Sequence, residues 1–217
     1  MPRHPETTPQ RGTRPYNRRH GTTPDEFRES LALPVRPTSP LDVRSGIQQL
    51  TEQLFVSGGP DWAPSADTHF AMLREWMDTG ITHYIPVHAE FDLGPYIEDA
   101  TGIRVHHIGV DDDGQDKPAE WFDEIIAVAN AVLAEPAHKL VVTCAHGINR
   151  GPSAALAIML WQGWDALAAL GAIRSVRPIA NILYAEDAVR WHVLRTGGTE
   201  VEALAAEQQV RDWFDRH

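Results

Sequence analysis

The chain has 217 residues, of which 42% are hydrophobic and 23% charged, so it can bury one sizeable core but is short for two full domains. Its net charge of −11 is uneven, because seven arginines and four acidic residues give the first 40 residues +3 and leave −14 for the rest. An acidic body argues against a broad nucleic-acid-binding face. No apolar run reaches the roughly 20 residues of a membrane helix and no apolar segment follows the basic N-terminus, so we expect a cytoplasmic protein without membrane contact.

The N-terminal segment differs in composition from the rest of the chain. Residues 1–44 are rich in proline, threonine and arginine and have no apolar period. Such a segment buries too little apolar surface to offset the entropy of ordering, so we predict a disordered basic tail. Residues 45–217 are then predicted to form one domain.

Strands and helices alternate in the first half of this domain. An apolar run at 53–56 that ends in Ser-Gly-Gly-Pro predicts a strand and a turn. Asp67 and Gly80 are typical of the start and the end of a helix, whose inner face we expect to carry Phe70, Leu73, Trp76 and Met77. The β-branched runs at 81–87 and 103–110 predict two further strands.

Helices dominate the second half. Pro118 is typical of the start of a helix, here predicted to run to Leu133. The most apolar strand, residues 140–144, leads through a loop into a nearly all-apolar helix at 153–162, which indicates a buried central strand. Three more helices are expected, with caps at Asp165, at Asn181 and at the pair Thr199 and Glu202. This order predicts an α/β fold with a central, mostly parallel sheet flanked by helices.

The segment between Cys144 and Arg150 carries the strongest chemical signal. Cys144 is the only cysteine, which excludes an intrachain disulfide and a cysteine-based zinc cluster. The N–H groups of a tight loop and of the helix start behind it form an anion-binding nest, and the same positive field favours a thiolate. Arg150 can bind two oxygens of one phosphate. We predict a nucleophile at Cys144 and a phosphate site made by the residues that follow it: Ala145, His146, Gly147, Ile148, Asn149 and Arg150. The alternative is an inert buried cysteine before an ordinary turn.

The segment VVTCAHGINRGPSAALAIML resembles the C-x5-R signature loop of the cysteine-dependent protein phosphatases, closest to the dual-specificity branch. Four more segments resemble that family in the same order: LTEQLFVSGG, GITHYIPV, IGVDDDGQDKPAEWF and SVRPIAN. The resemblance implies one phosphatase-like α/β domain that needs no cofactor. It also implies hydrolysis of phosphomonoesters, on phosphotyrosine and on phosphoserine or phosphothreonine of proteins, through a phosphocysteine. The expected partners are a phosphorylated protein or peptide and an oxyanion in the loop.

The family also uses an aspartate that protonates the leaving oxygen. In related sequences this residue lies nine positions before the aromatic residue that starts the next helix, and counting back from Trp121 selects Asp112 among Asp111, Asp112 and Asp113. A calcium loop is excluded because Gly114 stands at the fourth rather than the sixth position. A solvated acidic turn is the remaining alternative.

Two positions depart from the family. Thr143 stands where a histidine helps to fix the loop, and Gly151 stands where a hydroxyl helps the thiolate to leave. Ser153 is a candidate replacement for that hydroxyl, and Asn181 is a candidate for the family's water-orienting asparagine, at a shorter spacing. These departures leave a phosphate-binding pseudophosphatase open.

Two further alternatives rest on other residues. His146 and Asn149 also fit the signature of RNA 5′-triphosphatases, so that activity stays open beside protein dephosphorylation, although the acidic body disfavours it. Four histidines on the predicted strands could suggest a metal site, but we expect structural roles and no metal: His83, His88, His106 and His107.

Overall fold

The computed structural model describes residues 42–90 and 92–217. The predicted tail therefore lies outside the described residues except for its last three positions. Those positions form a turn in which the Asp42 carboxylate accepts the N–H groups of Arg44, at 3.0 Å, and Ser45, at 2.8 Å. The Arg44 carbonyl in turn accepts the N–H of Gly58 at 3.0 Å, so this turn contacts the sheet.

Five strands form one mixed sheet in the order β1-β2-β5-β3-β4. Their bounds are Gln48–Gln49 (β1), Leu54–Gly58 (β2), His83–Pro86 (β3), Arg104–Val105 (β4) and Leu140–Cys144 (β5). β1 pairs antiparallel with β2, and every other neighbouring pair is parallel. β5 lies at the centre with all of its residues buried, as a continuous apolar run predicts. The prediction of a central, mostly parallel sheet is confirmed.

Seven α-helices occur in the described part of the chain. They are Ala66–Thr79 (α1), Gly94–Thr101 (α2), Ala119–Leu133 (α3), Arg150–Trp161 (α4), Ala166–Val176 (α5), Ala185–Arg195 (α6) and Glu200–Phe214 (α7), and a short 3-10 helix spans Pro60–Trp62. Across 42–90 and 92–217, none of these helices has the length and apolar character needed to cross a membrane.

The helices pack on both faces of the sheet, because successive strand side chains point to opposite faces. On one face, Leu140 and Val142 of β5 belong to a core that includes residues from α3 to α7. On the other face, Val141 packs in a second core with Leu73 and Trp76 of α1. The expected layers are therefore present, with β5 covered on both sides.

Helix α1 begins earlier than the sequence indicated. Its cap is Ser65, whose hydroxyl oxygen accepts the N–H of Thr68 at 3.1 Å, so the prediction of Asp67 was wrong. Gly80 does end the helix, in the left-handed region at φ 81°. Met77 is 43% exposed and lies off the inner face, contrary to the prediction.

Two other local predictions were wrong. Asn181 does not cap α6, which begins at Ala185 after Tyr184. The strand expected at 103–110 is reduced to Arg104–Val105, and an isolated bridge between His88 and Val110 prolongs the alignment. Helix α2 was not predicted at all.

Other helix ends agree with the predictions made from local sequence signals. Asp165 caps α5, and its side chain accepts the N–H of Ala168 at 2.9 Å. Thr199 and Glu202 form the complete capping box at the start of α7. Pro118 immediately precedes α3, which ends at Leu133 as predicted. Helix α4 starts at Arg150, three residues before the predicted position.

Candidate active site

Cys144 lies at the carboxyl edge of the sheet, where the loops after four parallel strands meet. It is the last residue of β5 and is 2% exposed. The N–H of Gly59, which follows β2, donates to the Cys144 carbonyl at 2.7 Å. The register of the sheet therefore fixes the cysteine backbone before the chain enters the loop.

The loop from Ala145 to Asn149 turns tightly from β5 into α4. Gly147 has φ 59°, and a Cβ atom there would lie 2.6 Å from the Ser57 carbonyl oxygen, so glycine is required. Helix α4 begins directly afterwards at Arg150. The unpaired N–H groups and the positive dipole end of α4 therefore belong to this loop.

Arg177 supports the loop from behind. Its fully buried guanidinium donates from Nε to the Gly147 carbonyl at 2.6 Å, and from Nη2 to the His146 and Arg44 carbonyls at 2.9 Å each. Because the C=O and N–H of a trans peptide point in opposite directions, the N–H groups of Gly147 and Ile148 point away from Arg177. Burial lowers the pKa of Arg177 to about 10, which leaves it positively charged at neutral pH. It thus orients the nest and adds positive charge behind it.

Arg150 is held by a carboxylate that the sequence analysis missed. The guanidinium is 2% exposed, and its Nη1 and Nη2 donate to the two oxygens of Glu90 at 3.2 Å each. Nη1 also donates to the Val110 carbonyl at 2.7 Å. Burial alone would raise the pKa of Glu90, but the Arg150 hydrogen bonds and charge bring it below its usual range. The Nη1–Nη2 edge is therefore occupied, and Nε lies on the side of Asp112, at 3.6 Å from its Oδ2.

His88 connects Glu90 to the segment after β2. It is fully buried, with Nε2 at 3.2 Å from the Asp61 Oδ2 and Nδ1 at 3.9 Å from the Glu90 Oε2. Its carbonyl accepts the His107 Nε2 at 2.6 Å. One polar network, buried except at Glu90, therefore connects the segments after β2, β3 and β5.

Asp112 lies beside Arg150 and contacts the loop. The Tyr184 hydroxyl donates to its Oδ1 at 2.6 Å, and the Asn149 side-chain amide donates to its Oδ2 at 3.4 Å. The Asp112 carboxyl group therefore contacts both the loop and the residue that precedes α6.

The two neighbouring aspartates have different surroundings. Asp113 pairs with the Lys117 ammonium at 2.5 Å, a hydrogen bond that lowers the Asp113 pKa. Asp111 is exposed. Among the three, Asp112 is thus the one in contact with Asn149 of the loop.

The two supporting candidates contact the loop in unexpected ways. The Ser153 hydroxyl donates to the Asn149 carbonyl at 2.9 Å and accepts the N–H of Tyr184 at 3.2 Å. Asn181 is exposed, and its contact is a backbone N–H that donates to the Ile148 carbonyl at 2.8 Å. Both residues therefore hold the loop in place through the bonds described here.

Thr143 and Gly151 occupy the two departures from the family pattern. The Thr143 Oγ1 lies 3.0 Å from the buried Tyr84 hydroxyl. A Cβ atom at Gly151 would lie 3.0 Å from the Cys144 nitrogen and 3.1 Å from the Thr143 carbonyl carbon. A larger residue at position 151 would therefore require the backbone at the end of β5 to shift by a few tenths of an ångström.

The histidines divide between the two ends of β3. The rings of His83 and His106 stack with centroids 5.6 Å apart, and His138 is 4.6 Å from His83. His88 and His107 lie at the other end, beside the loop network. Within 42–90 and 92–217, no group of three or more potential ligand side chains could hold a metal ion.

The chain is similar to known proteins in structure but not detectably in sequence. No protein-family model matches the chain, and no curated protein matches its sequence. Human DUSP28 is similar with a TM-score of 0.58 and 16% identity, over 75% of this chain and 100% of that chain. A mouse protein described as a dual specificity phosphatase and solved with zinc tungstate gives 0.58 and 18%, over 80% and 97% of the two chains.

A human tyrosine phosphatase-like serine/threonine/tyrosine-interacting protein gives a TM-score of 0.55 and 15% identity, over 70% of this chain and 98% of that chain. All three similarities span nearly the whole length of the neighbour. The chain therefore has the fold of the dual-specificity, cysteine-dependent phosphatases.

Proposed function

We propose that the protein hydrolyses phosphomonoesters through a phosphocysteine formed on Cys144, with phosphorylated proteins or peptides as substrates. One observation carries the proposal: a cysteine ends the central strand and enters a loop backed by Arg177, and Arg150 at the end of that loop lies 3.6 Å from Asp112. This arrangement supports the proposal because phosphoryl transfer to a side chain requires a nucleophile, an anion site and an acid close together.

The proposed first step is attack of the Cys144 thiolate on phosphorus. The loop N–H groups and the Arg150 Nε bind the non-bridging oxygens and stabilise their charge. Asp112 donates a proton to the leaving oxygen as the bond between that oxygen and phosphorus breaks.

The second step releases the enzyme. The Asp112 carboxylate accepts a proton from water, the resulting hydroxide equivalent attacks phosphorus, and the bond between sulfur and phosphorus breaks. Inorganic phosphate and the thiolate are the products. Every group required for this sequence belongs to the chain, and the proposal invokes no cofactor.

The charge around the loop favours a monophosphate over the alternative substrate, triphosphorylated RNA. Glu90 and Asp112 both lie against Arg150, and Asp111 and Asp113 are the neighbours of Asp112 in the chain. Additional phosphates would approach these carboxylates, and like charges repel strongly where water is partly excluded. A phosphoester with a single phosphate avoids this cost.

The test is turnover of 4-nitrophenyl phosphate and phosphopeptides by the wild type and by Cys144→Ser. The variant should lose activity by at least about a thousandfold, because a serine hydroxyl is a far weaker nucleophile at neutral pH. It should keep its unfolding temperature and still bind tungstate, since the loop N–H groups and Arg150 remain.

Three results would contradict this function. Undiminished turnover by Cys144→Ser would exclude the nucleophile. A wild type that binds tungstate without hydrolysing any substrate would instead be a pseudophosphatase. Phosphate release that is faster from triphosphorylated RNA than from phosphopeptides would move the activity to RNA 5′ ends.

A further inference from the structure

Tyr184 connects the proposed acid to the helix that carries Arg150. Tyr184 directly precedes α6 and is buried. Its hydroxyl donates to the Asp112 Oδ1 at 2.6 Å. Its backbone N–H donates to the Ser153 Oγ on α4 at 3.2 Å. The phenol is therefore fixed relative to Arg150, three residues before Ser153 on the same helix.

The acid-bearing segment is attached to α6 at further points. The N–H of Gly114 donates to the Tyr184 hydroxyl at 3.4 Å, and the Lys117 ammonium lies 4.4 Å from the centre of the Tyr184 ring. The N–H of Lys117 donates to the Asp187 Oδ2 at 2.9 Å. These bonds hold the backbone that follows Asp112, and the Tyr184 hydroxyl holds the Asp112 side chain.

The two oxygens of Asp112 consequently have different partners. Oδ1 accepts a hydrogen bond from the Tyr184 hydroxyl, whereas Oδ2 faces the Asn149 amide and the Arg150 Nε. Burial, and then the bond to Asp112, raise the pKa of Tyr184 to about 12, so the phenol remains a donor throughout the neutral range. A hydroxyl has one proton to donate, and here it is directed to Oδ1.

We propose that Tyr184 is a positioning residue that aims Asp112, so that Oδ2 is the oxygen that carries and delivers the proton. The inference rests on the proposed function and assigns within it a residue outside the loop and the acid. With Oδ1 occupied, a proton on Asp112 resides on Oδ2, beside the phosphate. Rotation of the carboxyl group would break the bond to Tyr184.

The proton balance is simple. Oδ2 transfers its proton to the leaving oxygen, which takes the electron pair of its broken bond to phosphorus. The Tyr184 hydroxyl stays protonated and stabilises the new carboxylate through Oδ1. Tyr184 therefore contributes most when the leaving oxygen is strongly basic, as in the alkyl esters of phosphoserine and phosphothreonine.

The test compares Tyr184→Phe with the wild type on two substrates. On a phosphoserine or phosphothreonine peptide, we expect a loss of about tenfold or more in kcat/KM, within the range of general acid catalysis. On 4-nitrophenyl phosphate, whose leaving group needs little protonation, the loss should stay below about threefold. Asp112→Asn should show the same dependence on the leaving group, and Asp111→Asn, a matched change at an exposed carboxylate, should show neither loss.

A double variant separates positioning from packing. Tyr184→Phe added to Asp112→Asn should cost no further activity, because residues that act through one another are not additive. Full additivity, or equal losses on both substrates, would overturn the positioning role. No activity of the wild type on either substrate would overturn the proposed function, and the role of Tyr184 with it. Melting temperatures within a few degrees of the wild type would confirm that both single variants are folded.

Discussion

Gly151 has the most direct kinetic consequence at the residue scale. It has no hydroxyl next to Arg150, and the family resemblance implies that such a hydroxyl assists departure of the thiolate. Ser153 is the nearest alternative along the helix, but its proton is donated to the Asn149 carbonyl at 2.9 Å. We therefore expect slow hydrolysis of the phosphocysteine relative to its formation.

Rapid mixing of the wild type with 4-nitrophenyl phosphate should give a burst of nitrophenol approaching one equivalent, followed by a slower steady rate. Gly151→Ser should shrink the burst by accelerating the second step. Its Cβ must displace the backbone near Cys144, 3.0 Å away, so Gly151→Ala is the control that isolates this steric cost. A wild type without a burst, together with slow turnover by Ser153→Ala, would assign the hydroxyl role to Ser153.

Local capping chemistry determines the ends of several helices at the element scale. Helix α7 begins with a reciprocal box in which Thr199 accepts the N–H of Glu202 at 3.3 Å, while Glu202 accepts the N–H of Thr199 at 2.7 Å. Thr199→Ala removes one half of this box. It should lower the free energy of unfolding by about 1 kcal/mol, measured by urea titration.

The same substitution should leave kcat/KM unchanged, because the box lies in α7 and outside the loop, the acid segment and α6. Ser175→Ala is a matched control, since the Ser175 hydroxyl bonds a carbonyl within α5 and caps no helix start. Equal stability of Thr199→Ala and the wild type would contradict the capping contribution.

The failed predictions of helix starts also have a physical cause at this scale. Ser65 and Asp67 are both capping residue types, and spacing alone does not separate a cap from an acid in the first turn. Residue 181 contacts the loop instead of starting a helix, because its N–H and that of Ile182 both donate to the Ile148 carbonyl. Because residues 181 and 182 contact the loop in this way, α6 begins only at Ala185.

We expect the stability of the whole molecule to depend on pH through a cluster at the amino end of β3, formed by His83, His106 and His138. Burial first, and then the charges of His138, His106 and Arg104, lower the pKa of His83 from 6.5 to about 4. Burial also lowers the pKa of His106. The unfolded chain therefore binds protons more readily than the folded chain between these values, so stability falls as pH decreases through this window and levels off below it.

Lowering the pH from 7 to 5 should lower the free energy of unfolding by about 2 kcal/mol through His83. The change is measured by urea titration at the two pH values. His83→Gln should remove most of this pH dependence. His217→Gln changes an exposed histidine and serves as the control, which should keep it. A pH dependence unchanged in His83→Gln would show that another group is responsible.

Short-range information accounts for much of the fold and part of the candidate site. The apolar run of β5, the cap at Asp165 and the box at Thr199 act over a few residues, so spacing along the chain was sufficient to predict them. Cys144 and Arg150 are likewise close in sequence. Their common loop follows from a strand, a glycine and a helix start in succession.

Tertiary structure decided which distant side chains surround that loop. Glu90 and Tyr184 carry no local signal of their roles, since Glu90 lies 60 residues from Arg150 and Tyr184 lies 72 residues from Asp112. Arg177 reaches the loop across 30 residues. Parallel strands bring their carboxyl ends to one edge, and only the strand order and register determine which loop residues meet there. Local sequence patterns are therefore enough to predict the loop from Cys144 to Arg150 and the α/β layers. Long-range packing determines how Arg150 and Asp112 are held, because those contacts depend on pairing between segments far apart in the chain.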